Sequence, residues 1–392
     1  MRCPTFSDLP LPLPGRSGWP WTEESPNHGG TNARLSLPRI SIVMPSLNQA
    51  QFIEEAIRSV LLQGYDDLEF IIMDGGSTDG TIDIIKKYEP WLSFWVSERD
   101  HGQSDALNKG FNRSTGDILA WLNSDDIYCM GALRSVGRCY QLHPETGLLY
   151  GDSEVIDANG AVTDRIKGQE ADLESLLVRN VIPQPSAFFS RTAFEKSGGI
   201  NTDLHFIMDY ELWLRMMMQG IRSYYISQLL SQFRWYQVSK SGSYSTQFGY
   251  EYLSFVEKLF RDRQNDRLIK TKLKAFHYAF TMIMACNGRG ADDDDILRAL
   301  VLWTQHLEQY LDDYLKDPKL WADSLYRIGN AYCLQGDMRK GRRYLSKSIE
   351  VDKRFDNMAI PGWLVSYLGN HAYGWYASTL QVASPLARRL QS

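Results

Sequence analysis

Cysteine is scarce: five residues in 392, Cys3, Cys129, Cys139, Cys286 and Cys333, with no Cys-x-x-Cys pair among them. An odd, scattered set of this kind argues against a disulfide framework and against a structural zinc site, and fits a reducing, cytoplasmic setting. The seven histidines are equally dispersed. Long apolar runs are missing too. No stretch reaches the roughly 18 to 20 residues that a membrane helix needs, and the nearest, around Trp363 to Leu380, is broken by Gly, Asn and His. There is no cationic excess either, since 42 Lys and Arg face 47 Asp and Glu for a net charge of -5. That excludes the electrostatic footprint of a nucleic-acid binder, and leaves open a peripheral contact with the inner face of a membrane. Prolines stand where a signal peptide would need an apolar helix, so none is expected at the N-terminus.

What is present is an ordinary globular composition, 43% hydrophobic and 23% charged, over a length that suits two domains. Residues 1–38 hold seven of the fifteen prolines and read as an extended arm, draped over a surface or mobile, whose Trp19-Pro20-Trp21 cluster is expected to pack somewhere. From residue 39 the pattern alternates between strand and helix. Strands are predicted at Ile40–Met44, Leu68–Met73, Leu92–Val96 and Ile118–Leu122. Helices are predicted around Ile53–Leu61, Ile82–Tyr88 and Ala106–Phe111. Repeated β-α units imply a mainly parallel sheet whose ligands bind beyond the carboxyl ends of the strands. Further on, Leu148–Gly151, a hairpin about Asn159-Gly160, the apolar Ala187–Phe189 and a helix from Met208 to Gly220 give the pattern an α+β character. Residues 39–250 are read as one domain and 251–392 as a helical region.

The loops after the four strands are polar: Pro45-Ser46-Leu47-Asn48, Asp74-Gly75-Gly76-Ser77-Thr78-Asp79-Gly80, Ser97-Glu98-Arg99-Asp100-His101-Gly102, and Asn123-Ser124-Asp125-Asp126. Four such loops at one edge make an active-site crevice the favoured reading over solvated turns. The Asp74–Gly80 loop has neither the GxGxxG order nor a Gly-Lys-Ser/Thr ending, so neither phosphate cradle is supported. Adjacent carboxylates such as Asp125 and Asp126 are costly without a cation. Mg2+ or Mn2+ held by one or two carboxylates commonly completes its shell with a substrate diphosphate. A helix cap is the plain alternative for these aspartates, as it is for Asp209 near the start of its helix.

Together these segments resemble the family 2 glycosyltransferases, inverting enzymes with a GT-A fold that use nucleotide sugars. The resemblance runs from about Pro38 to Trp235. It rests on Ile42–Asn48, Met73–Thr81, Asp105–Gly110, Leu122–Asp126 and Met208–Leu212. It implies an α/β fold, a Rossmann-like mixed sheet with helices on both faces, followed by the α-helical C-terminal region. It also implies a nucleoside held by Pro45, Ser46, Asn48 and Asp74, with Asp100, Lys109, Asn123, Ser124 and Glu211 as further substrate contacts. Asp125, with Asp126 as a second candidate, would bind Mn2+ or Mg2+, and Asp209 would be the general base. Two departures stand out. The Asp-x-Asp element reads Asn123-Ser124-Asp125, and the usual Asp-Asp-Gly-Ser reads Asp74-Gly75-Gly76-Ser77.

The implied activity is metal-dependent, inverting transfer of a sugar from a nucleoside diphosphate to a glycan or lipid-linked acceptor, in bacterial surface polysaccharide biosynthesis. The alternative from another class is a non-catalytic nucleotide-sugar-binding or scaffold protein acting through its helical tail. Retention of Asp125, Asp126 and Asp209 weighs against it. A nucleotidyltransferase would want a Gly-rich, basic loop after the first strand, which Pro45–Asn48 is not. At about 322–353, Leu325, Ile328, Gly329, Tyr332, Gly336, Leu345 and Ile349 read as a single tetratricopeptide-type hairpin, a candidate contact for a protein partner.

Overall fold

The structure is a computed structural model, and it describes residues 4–12, 14–26, 37–240, 247–261, 318–352 and a few helical positions between 275 and 308. The chain divides into two compact units, one of residues 1–176 with 180–236 and one of residues 177–179 with 237–392. The proline-rich arm therefore belongs to the first unit, and the sheet unit ends at Tyr236, ahead of the expected boundary at 250.

The first unit is built on a nine-stranded mixed sheet. In chain order its strands are β1 (Ile40–Ser46), β2 (Leu68–Asp74), β3 (Phe94–Ser97), β4 (Ile118–Trp121), β5 (Ile127–Tyr128), β6 (Thr146–Ile156), β7 (Val162–Ile166), β8 (Ala187–Ser190) and β9 (Arg222–Arg234). Their spatial order is β3-β2-β1-β4-β8-β6-β9-β5, with β7 paired to β6. The first four are parallel, and β8 is antiparallel to both β4 and β6. The four predicted strands and the hairpin about Gly160 all occur. β1 runs past its expected end at Met44 for a local reason. Even-numbered β1 residues direct their backbone groups to β2 and odd-numbered ones to β4, as Ile40 N to Asp67 O and Leu122 N to Val43 O indicate. Pairing with β4 ends at Val43, so the missing N–H of Pro45 costs no ladder bond.

Helices α1 (Ile53–Leu61), α2 (Thr81–Tyr88) and α4 (Ala132–Leu142) cover one face of the sheet. There Ile53, Ile57, Val60, Ile85, Tyr88, Leu133 and Val136 share a core with Ile40, Ile42, Phe70, Ile72, Ile118 and Ala120. On the other face lie α3 (Gln103–Arg113), α6 (Arg191–Ser197) and α7 (Met208–Met218). Their packing is aromatic: Phe111 meets Phe194 at 4.8 Å, and Trp121 stacks on Trp213 at 5.6 Å between ring centroids. α3 comes so close to the sheet that a Cβ on Gly110 would lie 2.4 Å from Val43 Cγ1. The short helix α5 (Leu173–Val178) completes the set.

The arm is anchored, not loose. Arg58 on α1 is fully buried and donates to the carbonyls of Pro10, Pro20 and Trp21 and to Tyr88 Oη, while Trp21 is itself buried and Trp19 Nε1 donates to Tyr128 O. The Trp-Pro-Trp cluster thus packs on α1 and the β5 segment.

The second unit contains α8 (Gln247–Arg261), α9 (Pro318–Leu334) and α10 (Met338–Val351). α9 and α10 form a helical hairpin with Leu325, Ile328 and Leu345 buried and Asp337 capping α10 through Lys340 N. The region predicted as tetratricopeptide-type coincides with that hairpin, and its kinship to that repeat remains an expectation. Among the described residues no helix is long and apolar enough to cross a membrane.

Candidate active site

All four polar loops gather at the carboxyl edge of β1–β4, and hydrogen bonds stitch them together. Ser46 O accepts from Gly75 N, Asn48 N donates to Ser77 Oγ, Asn48 Oδ1 accepts from Thr78 N, and Ala50 N donates to Asp79 Oδ2. Asn48 takes the left-handed conformation, φ 53°, which asparagine tolerates better than most residues. Two polar functions are left over. Ser46 Oγ is buried without a hydrogen-bond partner, and the Asn48 side-chain amide donates to no described residue.

Asp74 is bound mainly by its own loop. It is 2% exposed, and its carboxylate accepts from Gly76 N at 3.1 Å, Ser77 N at 2.9 Å, Ser77 Oγ at 2.5 Å and Ser97 Oγ at 2.6 Å. Three of these donors meet Oδ2 and one meets Oδ1, so the carboxylate holds the glycine loop against β3. The neighbouring position explains the missing second acid. A Cβ on Gly75 would sit 2.8 Å from Asp100 Oδ2, so the Asp100 side chain occupies the space that a side chain at 75 would take. Asp100 Oδ1 accepts from Gly102 N at 2.9 Å, and Oδ2 takes no hydrogen bond from the described residues.

The aspartates after β4 have opposite fates. Asp126 is completely buried, its Oδ1 accepting from Arg234 N at 2.8 Å and its Oδ2 from Asn123 Nδ2 at 3.1 Å. Burial, then the neighbouring Asp125 charge, pushes its carboxyl well above the usual range. Asp126 was a candidate ligand by sequence, but with both oxygens turned into the fold it is not free to meet a cation. Asp125 is half-buried. One oxygen accepts from Tyr236 Oη at 3.2 Å, the other takes no bond from another described residue, and burial raises its pKa. The Tyr236 hydroxyl is in turn pushed up to about 12, by burial and then by Asp125.

Asn123 is fully engaged. Its Oδ1 accepts from Gln103 Nε2 at 2.7 Å and its Nδ2 donates to Asp126 Oδ2 and to Gln184 Oε1. An aspartate here would set a third carboxylate against two acceptors, which accounts for the departure from Asp-x-Asp. Ser124 beside it is 3% exposed. Gln103, Gln184 and Tyr236 were not anticipated; the one sequence sign was a glutamine lodged between Pro183 and Pro185.

α3 connects the two halves of the site. Gln103 reaches Asn123, and the adjacent Ser104 donates to Leu204 O and to Met208 Sδ, bringing the first turn of α7 to the same edge. Asp209 lies in that turn and is half-buried. The N-cap is Ile207, so Asp209 is not the cap. Glu211 departs from expectation as well. It is 6% exposed and bidentate to Arg215, at 2.9 Å and 2.6 Å, while Arg215 also donates to the carbonyls of Ser197 and Gly199. That pair fixes the turn between α6 and α7 and leaves Glu211 nothing to offer a substrate. Lys109 is accessible, but its ammonium is paired with Asp105 at 3.0 Å.

Residues 41–148 match the model of glycosyl transferase family 2. The chain is 30% identical to the PGL/p-HBAD biosynthesis glycosyltransferase of Mycobacterium bovis over 185 residues, which are 46% of this chain and 70% of that protein. It belongs to glycosyl transferase family 2. An uncharacterized glycosyltransferase of Nostoc sp. is 29% identical over 153 residues, 38% of this chain and 47% of that one. Among solved structures, S. aureus TarS superimposes with a TM-score of 0.44 at 14% identity, covering 81% of this chain and 55% of TarS. The mannosyltransferase PcManGT of Pyrobaculum calidifontis, in complex with GDP-Man and Mn2+, gives 0.48 at 18% identity, covering 80% and 87%. Family membership makes the protein a glycosyltransferase, and its sheet with helices on both faces is the architecture that the GT-A resemblance implied.

Proposed function

We propose that the protein transfers a sugar from a nucleoside diphosphate donor to a hydroxyl of a glycan or lipid-linked acceptor, with inversion at the anomeric carbon. The observation that carries this reading is the convergence of Ser46, Asn48, Asp100, Asp125 and the first turn of α7 at one sheet edge, each of the first four with hydrogen-bonding capacity left over after the loops are internally bonded. Ser46 Oγ and the Asn48 amide suit the oxygens of a nucleoside, and Asp100 Oδ2 suits an N–H or hydroxyl donor of the same group. Pro45 completes that wall as a buried, rigid member.

Among the described residues no three His, Cys, Asp or Glu side chains form a metal cage. The donor set fits a Mg2+ or Mn2+ ion that takes most of its ligands elsewhere. Asp125 has an oxygen to give, and its charge is disfavoured by burial until a cation is near. When bound, such an ion neutralises charge on the departing diphosphate. Asp209 acts as the general base: its carboxylate accepts the acceptor's hydroxyl proton as that oxygen attacks the anomeric carbon and the bond to the diphosphate breaks. A single displacement of this kind inverts the configuration.

The mycobacterial relatives are named for PGL/p-HBAD biosynthesis. That is compatible with an acceptor in a biosynthetic pathway, here read as surface polysaccharide assembly. The test is calorimetric titration with UDP, GDP, CDP and dTDP, with and without Mn2+. One of the four binding only with Mn2+ is the expected result, and no binding of any nucleotide under either condition would refute the donor site.

A further inference from the structure

The aspartate loop is gripped from outside the four strand loops, by residues far away in sequence. Arg234, at the end of β9, donates its backbone N–H to Asp126 Oδ1 at 2.8 Å and its Nε–H to the carbonyl of Asp125 at 2.9 Å. Its Nη1 donates to Asp157 O at 3.0 Å and its Nη2 forms an ion pair with Glu55 Oε2 at 2.8 Å. The guanidinium is 1% exposed, and it lies over the Phe52 ring at 4.8 Å. Tyr236, which donates to the Asp125 carboxylate, packs its ring 5.0 Å from that same Phe52. Phe52 and Glu55 mark the start of α1, so one helical turn supports both of the contacts that aim Asp125. The second Glu55 oxygen accepts from Trp21 Nε1 at 3.3 Å, which ties the N-terminal arm into the same chain of bonds.

A buried guanidinium must be neutralised nearby. The acidic groups around it are Glu55, Asp125, Asp126 and Asp157. With Glu55 in place, Arg234 spends its charge on Glu55 and touches the Asp125 peptide only through a carbonyl. Asp125 then keeps its own charge for a ligand. Without Glu55 the cation is left to Asp125, Asp126 and Asp157, and at Asp125 it competes directly with a metal ion.

We infer that Glu55 is a positioning residue of the donor site: by neutralising Arg234 it holds the Asp125 peptide in place and keeps the Asp125 carboxylate available to a divalent cation, with Trp21 of the N-terminal arm steadying Glu55. This rests on the donor-site reading above. Residues behind a metal ligand commonly change metal affinity by about 10- to 100-fold when altered, and Glu55→Gln is expected at the lower end, about tenfold.

The test uses the full chain and two readouts: Mn2+ affinity from electron paramagnetic resonance titration in the presence of whichever of UDP, GDP, CDP or dTDP binds, and donor KM against kcat. Glu55→Gln should raise the Mn2+ Kd and the donor KM about tenfold, with kcat changed less than about threefold and Glu55→Asp recovering part of the loss. Trp21→Phe, which keeps the packing and deletes the indole N–H, should move both constants the same way by about two- to threefold, as befits the loss of one weak hydrogen bond. A folded Glu55→Gln protein with unchanged Mn2+ Kd overturns the inference, as does a loss confined to kcat, the signature of a smaller active fraction. Should Glu55→Gln not fold, unchanged constants in Trp21→Phe overturn it instead. Absence of Mn2+ binding by the unaltered protein in the presence of each of UDP, GDP, CDP and dTDP would refute the donor-site reading itself, and this inference with it.

Discussion

Glycine at position 75 and aspartate at position 100 behave as one choice made in two places, which a double-mutant cycle can read. Gly75 lies outside the left-handed region, so only Asp100 opposes a side chain there: the added Cβ would stand 2.8 Å from Oδ2 and 3.3 Å from Cγ. In Gly75→Asp the Asp100 side chain must swing away, which breaks its hydrogen bond from Gly102 N, about 1.5 to 3 kcal/mol for a bond to a charged group. Two carboxylates about 4 Å apart also repel by about 1 kcal/mol in water and about 4 kcal/mol at an effective dielectric of 20. Gly75 is buried and Asp100 half-buried, so a value between these limits, about 2 kcal/mol, is reasonable, and the sum is about 4 kcal/mol of lost stability. Asp100→Gly loses one acceptor and weakens nucleotide binding about tenfold. The double variant carries an acid at 75 with room to stand, so its losses fall short of the sum of the single losses by about 2 kcal/mol, the range expected of residues in contact. Urea denaturation and calorimetric nucleotide binding on the four proteins supply the numbers. Additivity within about 0.5 kcal/mol in both assays would refute the claim that the two positions share one space and one acid.

Asp209→Asn should abolish transfer while nucleotide binding stays within about threefold, since a base is needed only once the acceptor attacks; turnover retained in that variant would remove the assignment. Arg58→Leu strips the donor from three arm carbonyls, those of Pro20 and Trp21 buried and that of Pro10 partly so, at about 1 to 3 kcal/mol each. The expected loss is at least about 3 kcal/mol in denaturant, with early proteolysis before Pro38; a stable, protease-resistant variant would contradict the anchoring. Glu69 is raised by burial, but donors from Ser41 and Thr115 outweigh this and leave it below its ordinary value of 4.5. Its contribution is therefore present above pH 4.5 and lost as the pH falls through the lowered folded value. Glu69→Gln should cost about 1 to 3 kcal/mol at pH 7 and flatten the stability curve below pH 4.5; parallel curves for the two proteins would refute this.

Periodicity made the parallel half of the sheet legible, because β1, β2 and β3 are each a short apolar run followed by a helix whose buried positions recur at helical spacing, and β4 is a further apolar run. β9 was not seen in advance. Along Arg222–Arg234 exposed, half-buried and buried positions follow no regular period, since this long strand pairs with β6 through several register shifts. Site residues were legible by type and loop, less so by role. The sequence marks Asp74, Glu211 and Asn123 as polar groups near a ligand edge, but it does not tell whether neighbouring N–H groups or a nearby guanidinium have already consumed their lone pairs. Nothing in the sequence ties Glu55 to its partners, because Arg234 is separated from it by 179 positions and Trp21 by 34.

Saturation, more than proximity, is what sorts structural from ligand-facing polar groups at this edge. Asp74, Asn123, Asp126 and Glu211 are each met by protein donors or cations on both sides, and each rigidifies a loop. Ser46 Oγ, the Asn48 amide, Asp100 Oδ2 and the second oxygen of Asp125 keep hydrogen-bonding capacity, and they come from three different loops that the saturated groups hold in register. A buried hydroxyl without a partner costs about 1 to 3 kcal/mol, and a burial-raised carboxylate is a further standing cost. Such costs persist where binding recovers them. The acceptors that remain, Asp100 and Asp125, lie on separate loops, so a ligand that satisfies both must present a hydrogen-bond donor at one point and a cation at another, as a base or ribose and a metal-bound diphosphate do within a single nucleotide.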